Sequence, residues 1–348
     1  MVRAVIADDS GVMREILSEI LTAAGIEVVE AVEDGTSAVR AILERDPDVA
    51  TIDISMPDKN GLEVIEEVMA ERPTPMLVIS ARANDGASET FEALDRGAVD
   101  FIAKPSGQLS VDIWSQRDEI VEKVRAAAAV DPTTLTQDAG AEPVQSTVPA
   151  DRVPDGSTVV IGSSTGGPQV LERVLAELPR EAKLRVLIVQ HMTDHYTGRF
   201  AMRLNERTAY ECREASDGDT VGAGDAVVAK GGRHLEVTAD RDGELAVAHD
   251  DGPKIHNVKP AIDVTMQSAA EAVSGPLVGA VFTGMGADGA AGLSAIKAAG
   301  GKTIAQDEET SRVFGMPGRA VETGDVDMVL PEERLAEGIV NALDGWSG

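Results

Sequence analysis

Gly162, Ser164 and Gly166 follow the apolar run Val159-Val160-Ile161 and precede a segment with Val170, Leu171, Val174, Leu175 and Leu178 at helical spacing. This is a strand, a tight turn and an amphipathic helix. The G-x-S-x-G spacing fits a nucleophile elbow, in which small flanking residues let one hydroxyl stand clear at a helix N-terminus. The same residues also suit a phosphate-binding glycine loop or a plain Gly-rich turn, so partners elsewhere must decide. Residues 184–189 form a second apolar run, ending in Gln190-His191-Met192. A third, residues 277–282, ends in Thr283-Gly284-Met285-Gly286-Ala287-Asp288-Gly289 before a helical segment at 291–299. Ser164, His191 and Asp288 thus each follow the carboxyl end of an expected strand. On parallel neighbouring strands, hydroxyl, imidazole and carboxylate would share one rim and support acyl transfer through a serine ester. The backbone N–H of Thr165, next after the nucleophile, is the natural oxyanion donor.

A second constellation lies near the N-terminus. Asp8, Asp9, Asp53, Ser80 and Lys104 also follow apolar runs. Carboxylates converging on one point repel unless a cation sits among them, and a hard oxygen-seeking ion such as Mg²⁺ is the natural choice. Acids on a solvated loop edge would explain any one of them, but not the whole set with Lys104-Pro105.

The remaining histidines offer rivals. His195 lies one helical turn beyond His191 and reads as a surface or substrate-facing residue. His234, His249 and His256 fall in a Gly/Asp-rich region of short strands, with Asp242-Gly243 as a hairpin turn. The α/β-hydrolase order would use Ser164, Asp225 and His256. That set is weaker, because neither Asp225 nor His256 follows a convincing core strand. No Cys/His cluster has zinc spacing, which argues against a metallohydrolase.

The elements that must position these groups alternate. In the first part, strand signals at 2–7, 27–31, 49–52, 76–79 and 100–103 alternate with helical signals. The first helix is capped by Ser10 and carries Val12, Ile16, Ile20 and Leu21 on its expected apolar face, ending at Gly25. Such alternation predicts a doubly wound parallel α/β sheet with helices on both faces. Residues 126–155 lose all periodicity and carry prolines at 132, 143, 149 and 154, so they read as a flexible linker. The expected organisation is therefore a first domain at 1–125, a linker at 126–155 and a second α/β domain at 156–348.

The chain has 348 residues, 43% hydrophobic, enough for about two domains with real cores. Its net charge of −29, from 60 acids against 31 bases, argues against nucleic acid and anionic membrane as partners. The acids are spread along the chain, which suits a protein working in concentrated salt, where self-repulsion is screened. Cys212 is the sole cysteine, so no intrachain disulfide can form and a reducing compartment is expected. No apolar run is long enough to span a bilayer, and strand-like sequence from Val2 leaves no room for a signal peptide. A cytoplasmic protein is expected.

Asp8-Asp9, Asp53 with Met56-Pro57 and Asn60-Gly61, Ser80-Ala81 and Phe101-x-x-Lys104-Pro105 resemble a response-regulator receiver domain, over residues 1–125. The resemblance implies a five-stranded flavodoxin-like fold with Asp53 as phospho-acceptor. It implies that Asp9, Asp53, Asp8 through water and the Ser55 carbonyl hold Mg²⁺. Ser80 and Lys104 would bind phosphoryl oxygens, and Phe101 would be the switch aromatic.

From about Thr158 onward the chain resembles the catalytic domain of the chemotaxis protein-glutamate methylesterases. The motifs are 161–167, Val189-Gln190-His191-Met192, Gly231-Gly232-Arg233-His234, 259–264, 282–289, Ala305-Gln306-Asp307-Glu308 and 313–317. One departure is Ser163, where that family often has alanine. The resemblance implies a mostly parallel, doubly wound sheet with a β-hairpin, and the Met285 N–H as second oxyanion donor. It implies hydrolysis of glutamate γ-methyl esters and deamidation of glutamines on methyl-accepting chemotaxis receptors. A chemotaxis histidine kinase would be phosphodonor, Mg²⁺ would serve the receiver, and the esterase chemistry would need no cofactor. The receiver would gate the esterase. A receiver-linked adapter without enzymatic activity is the rival from another class. A transcription factor fits poorly, because the second part is too long, acidic and strand-rich for a helix-turn-helix module.

Overall fold

The computed structural model describes residues 1–81, 86–104, 113–132 and 153–344. The chain divides into two compact units, Met1–Ala141 and Glu142–Gly348. Most of the stretch read as a linker, residues 133–152, lies outside the described residues. Among the described residues no helix is long and apolar enough to cross a membrane.

The first unit is a five-stranded parallel sheet. Its strands are β1 (Arg3–Ala7), β2 (Glu27–Val32), β3 (Val49–Asp53), β4 (Met76–Ala81) and β5 (Asp100–Lys104), in the order β2-β1-β3-β4-β5. The helices are α1 (Gly11–Ala23), α2 (Gly35–Arg45), α3 (Gly61–Glu71), α4 (Gly86–Asp95) and α5 (Arg117–Ala128). Their starts are written in the sequence. The Ser10 side chain accepts from Met13 N–H at 3.4 Å, and Asp34 accepts from Ser37 N–H at 2.8 Å. Asn60 and Glu63 form a reciprocal capping box at 3.0 and 2.8 Å, of a kind whose N-cap is worth about 0.5–2 kcal/mol. The expectation for α1 needs one correction: Val12 is 54% exposed. The buried stripe is Met13, Ile16, Leu17, Ile20 and Leu21, the i, i+3, i+4, i+7, i+8 pattern of a helix that begins at Gly11.

The second unit is built on seven parallel strands in the order β15-β14-β13-β6-β7-β10-β8. They are β6 (Thr158–Ser163), β7 (Arg185–Gln190), β8 (Glu211–Glu214), β10 (Asp225–Val228), β13 (Leu277–Val281), β14 (Lys302–Gln306) and β15 (Met328–Leu330). Helices α6 (Gly167–Glu177), α7 (Asp194–Arg207), α8 (Ile262–Ala272), α9 (Ala290–Ala298), α10 (Gly315–Glu322) and α11 (Leu335–Leu343) connect them. A separate antiparallel sheet joins β9 (Thr220–Val221), β11 (His234–Arg241) and β12 (Glu244–Asp250). Asp242 and Gly243 turn the β11–β12 hairpin, both at positive φ, as its two-residue turn requires.

Val160, Leu187, Val189, Ile262, Met266, Val281, Leu293 and Ile296 share one buried core, each large side chain contributing about 1.5–3 kcal/mol. The central strands β6, β7 and β13 are buried along their whole length. This is why they read as continuous apolar runs, as strands covered on both faces do. Between β6 and β13 the strand order reverses: β6 leads to β7 on one side, and β13 to β14 and β15 on the other. A crevice opens beyond the carboxyl ends at such a switch point, and the first unit has one between β1 and β3.

Candidate active site

In the second unit, β6 delivers Ser163 and Ser164 to the switch point. Its register puts Ser163 opposite Gln190 of β7 and Gly162 opposite Val281 of β13. The bend falls on Gly166, at φ +78°, a conformation that glycine adopts without steric cost. Gly167 N–H closes the turn on Ser164 C=O at 2.9 Å, and Ser164 N–H donates to Thr283 C=O at 3.0 Å. Gly162 allows a close approach: a Cβ there would lie 2.4 Å from Ile262, at the start of α8.

The two serines differ in environment. Ser163 is fully buried, and its hydroxyl donates to Gln190 Oε1 at 2.6 Å. Gln190 Nε2 in turn donates to Ser164 C=O at 2.9 Å. Ser163 is thus bound into the scaffold, while Ser164 is only partly buried. The side chain that departs from the resembled family braces the elbow from behind.

His191 continues the ladder, its N–H donating to Ser163 C=O at 3.1 Å. Its ring Nε2 lies 2.8 Å from Asp288 Oδ2. Among the described residues no hydrogen bond joins Ser164 Oγ to the ring, so two of the three expected partners are bonded and the serine stands at the adjacent register position. Looser apo geometry between nucleophile and base is ordinary for such sites.

Asp288 is 1% exposed. Its Oδ2 also accepts Ile262 N–H at 2.7 Å, and its Oδ1 accepts the N–H groups of Asp263 and Gly289, each at 3.0 Å. Burial alone would raise its pKa. The His191 hydrogen bond and charge, with the Asp263 and Ile262 N–H groups, outweigh burial and hold the carboxyl below its ordinary value. The acid is an anion at neutral pH and can only accept, so the ring Nε2 that meets it carries a proton and Nδ1 is the ring nitrogen left for another partner.

Thr165 is buried beside Ser164, and its carbonyl accepts Thr283 Oγ1–H at 2.9 Å. A Cβ on Gly284 would stand 2.8 Å from Ser164 Cβ, so the chain passes against the serine one residue ahead of Met285. The rival acid Asp225 begins β10 at the opposite rim, where it faces Arg213 at 3.4 Å. The rival base His256 bonds Asp263 Oδ2 at 3.0 Å. His234 is buried between Pro253 C=O and Ala261 N–H, His249 reaches Ala215 C=O, and His195 is exposed. Neither His256's bond to Asp263 nor Asp263's own place beside Asp288 was legible from spacing.

In the first unit, one carboxylate oxygen from each of Asp8, Asp9 and Asp53 lies within 4.8 Å of the others. Lys104 Nζ sits 2.9 Å from both Asp8 Oδ2 and Asp53 Oδ2. Burial raises the Asp53 pKa, Lys104 lowers it, and the neighbouring Asp8 and Asp9 raise it again, for a net increase. Burial opposes charge on Lys104, but Asp53 and Asp8 outweigh it and raise its pKa. An all-oxygen set with excess negative charge fits a hard divalent cation. Ser55 is exposed in the bend after β3. Ser80 lies near the end of β4, but its side chain falls outside the described residues. Phe101 is buried, edge-on to Phe91 at 6.3 Å, with Lys123 Nζ 5.3 Å from its ring centroid.

The family described as CheB methylesterase matches residues 159–339, and that described as response regulator receiver domain matches residues 4–111. A protein of Natronomonas pharaonis named protein-glutamate methylesterase/protein-glutamine glutaminase is 51% identical over 98% of each chain. A Haloarcula marismortui protein of the same name is 49% identical, again over 98% of each. The crystal structure of the Thermotoga maritima CheB methylesterase catalytic domain superposes with a TM-score of 0.52 at 39% identity, covering 54% of this chain and 99% of that one. Family matches to both parts of the chain and relatives alike over nearly its full length agree: the chain belongs to the CheB methylesterase family, with a response regulator receiver domain ahead of the methylesterase domain.

Proposed function

We propose that this chain hydrolyses glutamate γ-methyl esters, and deamidates selected glutamines, on methyl-accepting chemotaxis receptors, through Ser164, His191 and Asp288. The observation that carries the reading is the bond from His191 Nε2 to the buried, ionised Asp288, at the rim where β6 delivers Ser164. Ser164 Oγ attacks the γ-carbonyl carbon as His191 Nδ1 takes its proton. The tetrahedral oxyanion is held by the N–H groups of Thr165 and Met285. Its collapse expels methoxide, which leaves as methanol with the proton from His191, or ammonia from a glutamine. The ring then deprotonates water, which attacks the acyl-enzyme and releases glutamate and free Ser164. Asp288 stabilises the imidazolium formed in each half-reaction.

Residues 1–125 serve as the receiver, 126–155 as the linker and 156–348 as the methylesterase. Asp53 accepts a phosphoryl group from a chemotaxis histidine kinase. Asp8, Asp9, Asp53 and the Ser55 carbonyl would hold Mg²⁺, which when bound supplies positive charge against the phosphoryl oxygens. Lys104 already neutralises part of the cluster, and with Ser80 it receives the phosphoryl group, to which Phe101 responds. Phosphorylation raises esterase turnover; a coupling of about 1–3 kcal/mol corresponds to about 5- to 150-fold. All of these partners and reactions belong in the cytoplasm.

A fluorophosphonate probe tests the serine assignment, because only an activated hydroxyl reacts. Covalent label on the peptide containing Ser164, lost in Ser164→Ala, is expected. An unlabelled wild-type protein would favour a receiver-linked adapter.

A further inference from the structure

Residues Ile255 to Val258 form a tight turn closed by both of its backbone bonds, Ile255 N–H to Val258 C=O at 3.2 Å and Val258 N–H to Ile255 C=O at 2.9 Å. Its two central residues, His256 at φ +51° and Asn257 at φ +63°, are left-handed. This is a turn that favours Asn-Gly, yet its first central position is a histidine. The His256 ring reaches inward, with Nε2 at 3.0 Å from Asp263 Oδ2, although the side chain is 41% exposed.

Asp263 is the point of contact with the catalytic carboxylate. Its Oδ1 accepts the N–H groups of Gly289 and Gly292 at 2.9 and 2.7 Å, fixing the start of α9. Its own N–H donates to Asp288 Oδ1, and that of Ile262 to Asp288 Oδ2. Asp263 therefore meets the Asp288 segment twice, its backbone N–H on the Asp288 carboxylate and its own carboxylate on Gly289, the next residue in the chain, while His256 bonds the other Asp263 oxygen. Asp263, Asp288 and His256 lie close enough to suggest a metal site. Three of the four carboxylate oxygens already have two partners each, however: Asp263 Oδ1 has Gly289 and Gly292, Asp288 Oδ1 has Asp263 and Gly289, and Asp288 Oδ2 has His191 and Ile262. The set is a hydrogen-bond network.

We propose that His256 is a positioning residue for the esterase reaction. Through Asp263 it holds Asp288, and hence the His191 ring, at the angle that aims Nδ1 toward Ser164. The inference rests on the triad reading. It gives a role to a histidine that touches none of the reacting atoms.

The test uses full-length protein with Ser164→Ala, His256→Ala and His256→Gln, the last keeping an N–H donor for Asp263. Fluorophosphonate labelling rates report serine activation without receptor contacts, and receptor demethylation gives kcat and KM. His256→Ala is expected to lower both the labelling rate and kcat about 10-fold, with KM within about twofold of wild type. His256→Gln should restore both to within about threefold. Unchanged labelling in His256→Ala, or a change confined to KM, overturns the inference while loss of label in Ser164→Ala leaves the triad standing. Label persisting in Ser164→Ala overturns both. If His256→Ala fails to fold, a His256→Gln rate below about one-tenth of wild type at an unchanged thermal midpoint overturns it as well.

Discussion

His191 meets Asp288 through Nε2, 2.8 Å from Oδ2, so Nδ1 is the ring nitrogen left for a second partner. In the serine-protease template the acid takes Nδ1 and the base is Nε2. In the proposed reaction the ring works the other way round, and the acid must keep the proton on Nε2. Asp288→Asn, whose amide can donate to Nε2, favours the wrong tautomer. It is expected to lower kcat by about 10³- to 10⁴-fold with little change in KM, as steady-state demethylation would measure.

Asp288 also links folding to pH. Its folded pKa lies below the ordinary 3.8, so its contribution to stability is fully present above the unfolded value and is lost as pH falls through the folded one. The stability gap between wild type and Asp288→Asn should narrow as pH falls below about 4. Denaturant unfolding across that range, at constant salt, measures it.

Ser163→Ala removes the 2.6 Å bond to Gln190 and leaves a buried acceptor unserved. A loss of about 1–3 kcal/mol in stability is expected, with kcat within about fivefold of wild type because the nucleophile remains. Urea unfolding and methanol release together separate the brace from the nucleophile.

The Asp53 carboxylate, bonded to Lys104, is the expected phosphoryl acceptor. Asp53→Asn should take up no phosphoryl group from a small phosphodonor with Mg²⁺. Its esterase rate should be the same with and without donor, where the wild-type rate rises about fivefold or more. Phosphate incorporation and demethylation rates, measured on the same samples, test this directly.

Net charge of −29 implies strong self-repulsion at low ionic strength. The thermal midpoint should rise between low and multimolar KCl, as the Debye length shrinks to about 3 Å at 1 M.

Much of this arrangement was legible because burial writes itself into sequence. Strands β6, β7 and β13 are covered on both faces, so their apolar runs stand out, and the polar residues that end them mark the rim. Three kinds of feature were not legible. Short edge strands such as β8, with one of four residues buried, carry no apolar run. Helix phase was ambiguous at Val12, where one residue of offset turns a core position outward. The His256–Asp263–Asp288 network is tertiary: it joins a turn, a helix start and a loop 25 residues away, and only the folded chain brings their donors and acceptors together.

The most direct measurement is methanol release from membranes carrying methylated receptors, by wild type, Ser164→Ala and Ser163→Ala in parallel. Ser164→Ala should lose at least about 10³-fold in turnover while Ser163→Ala stays near wild type. Full activity in Ser164→Ala, with Ser163→Ala inactive, would contradict the assignment of the nucleophile and with it the whole site.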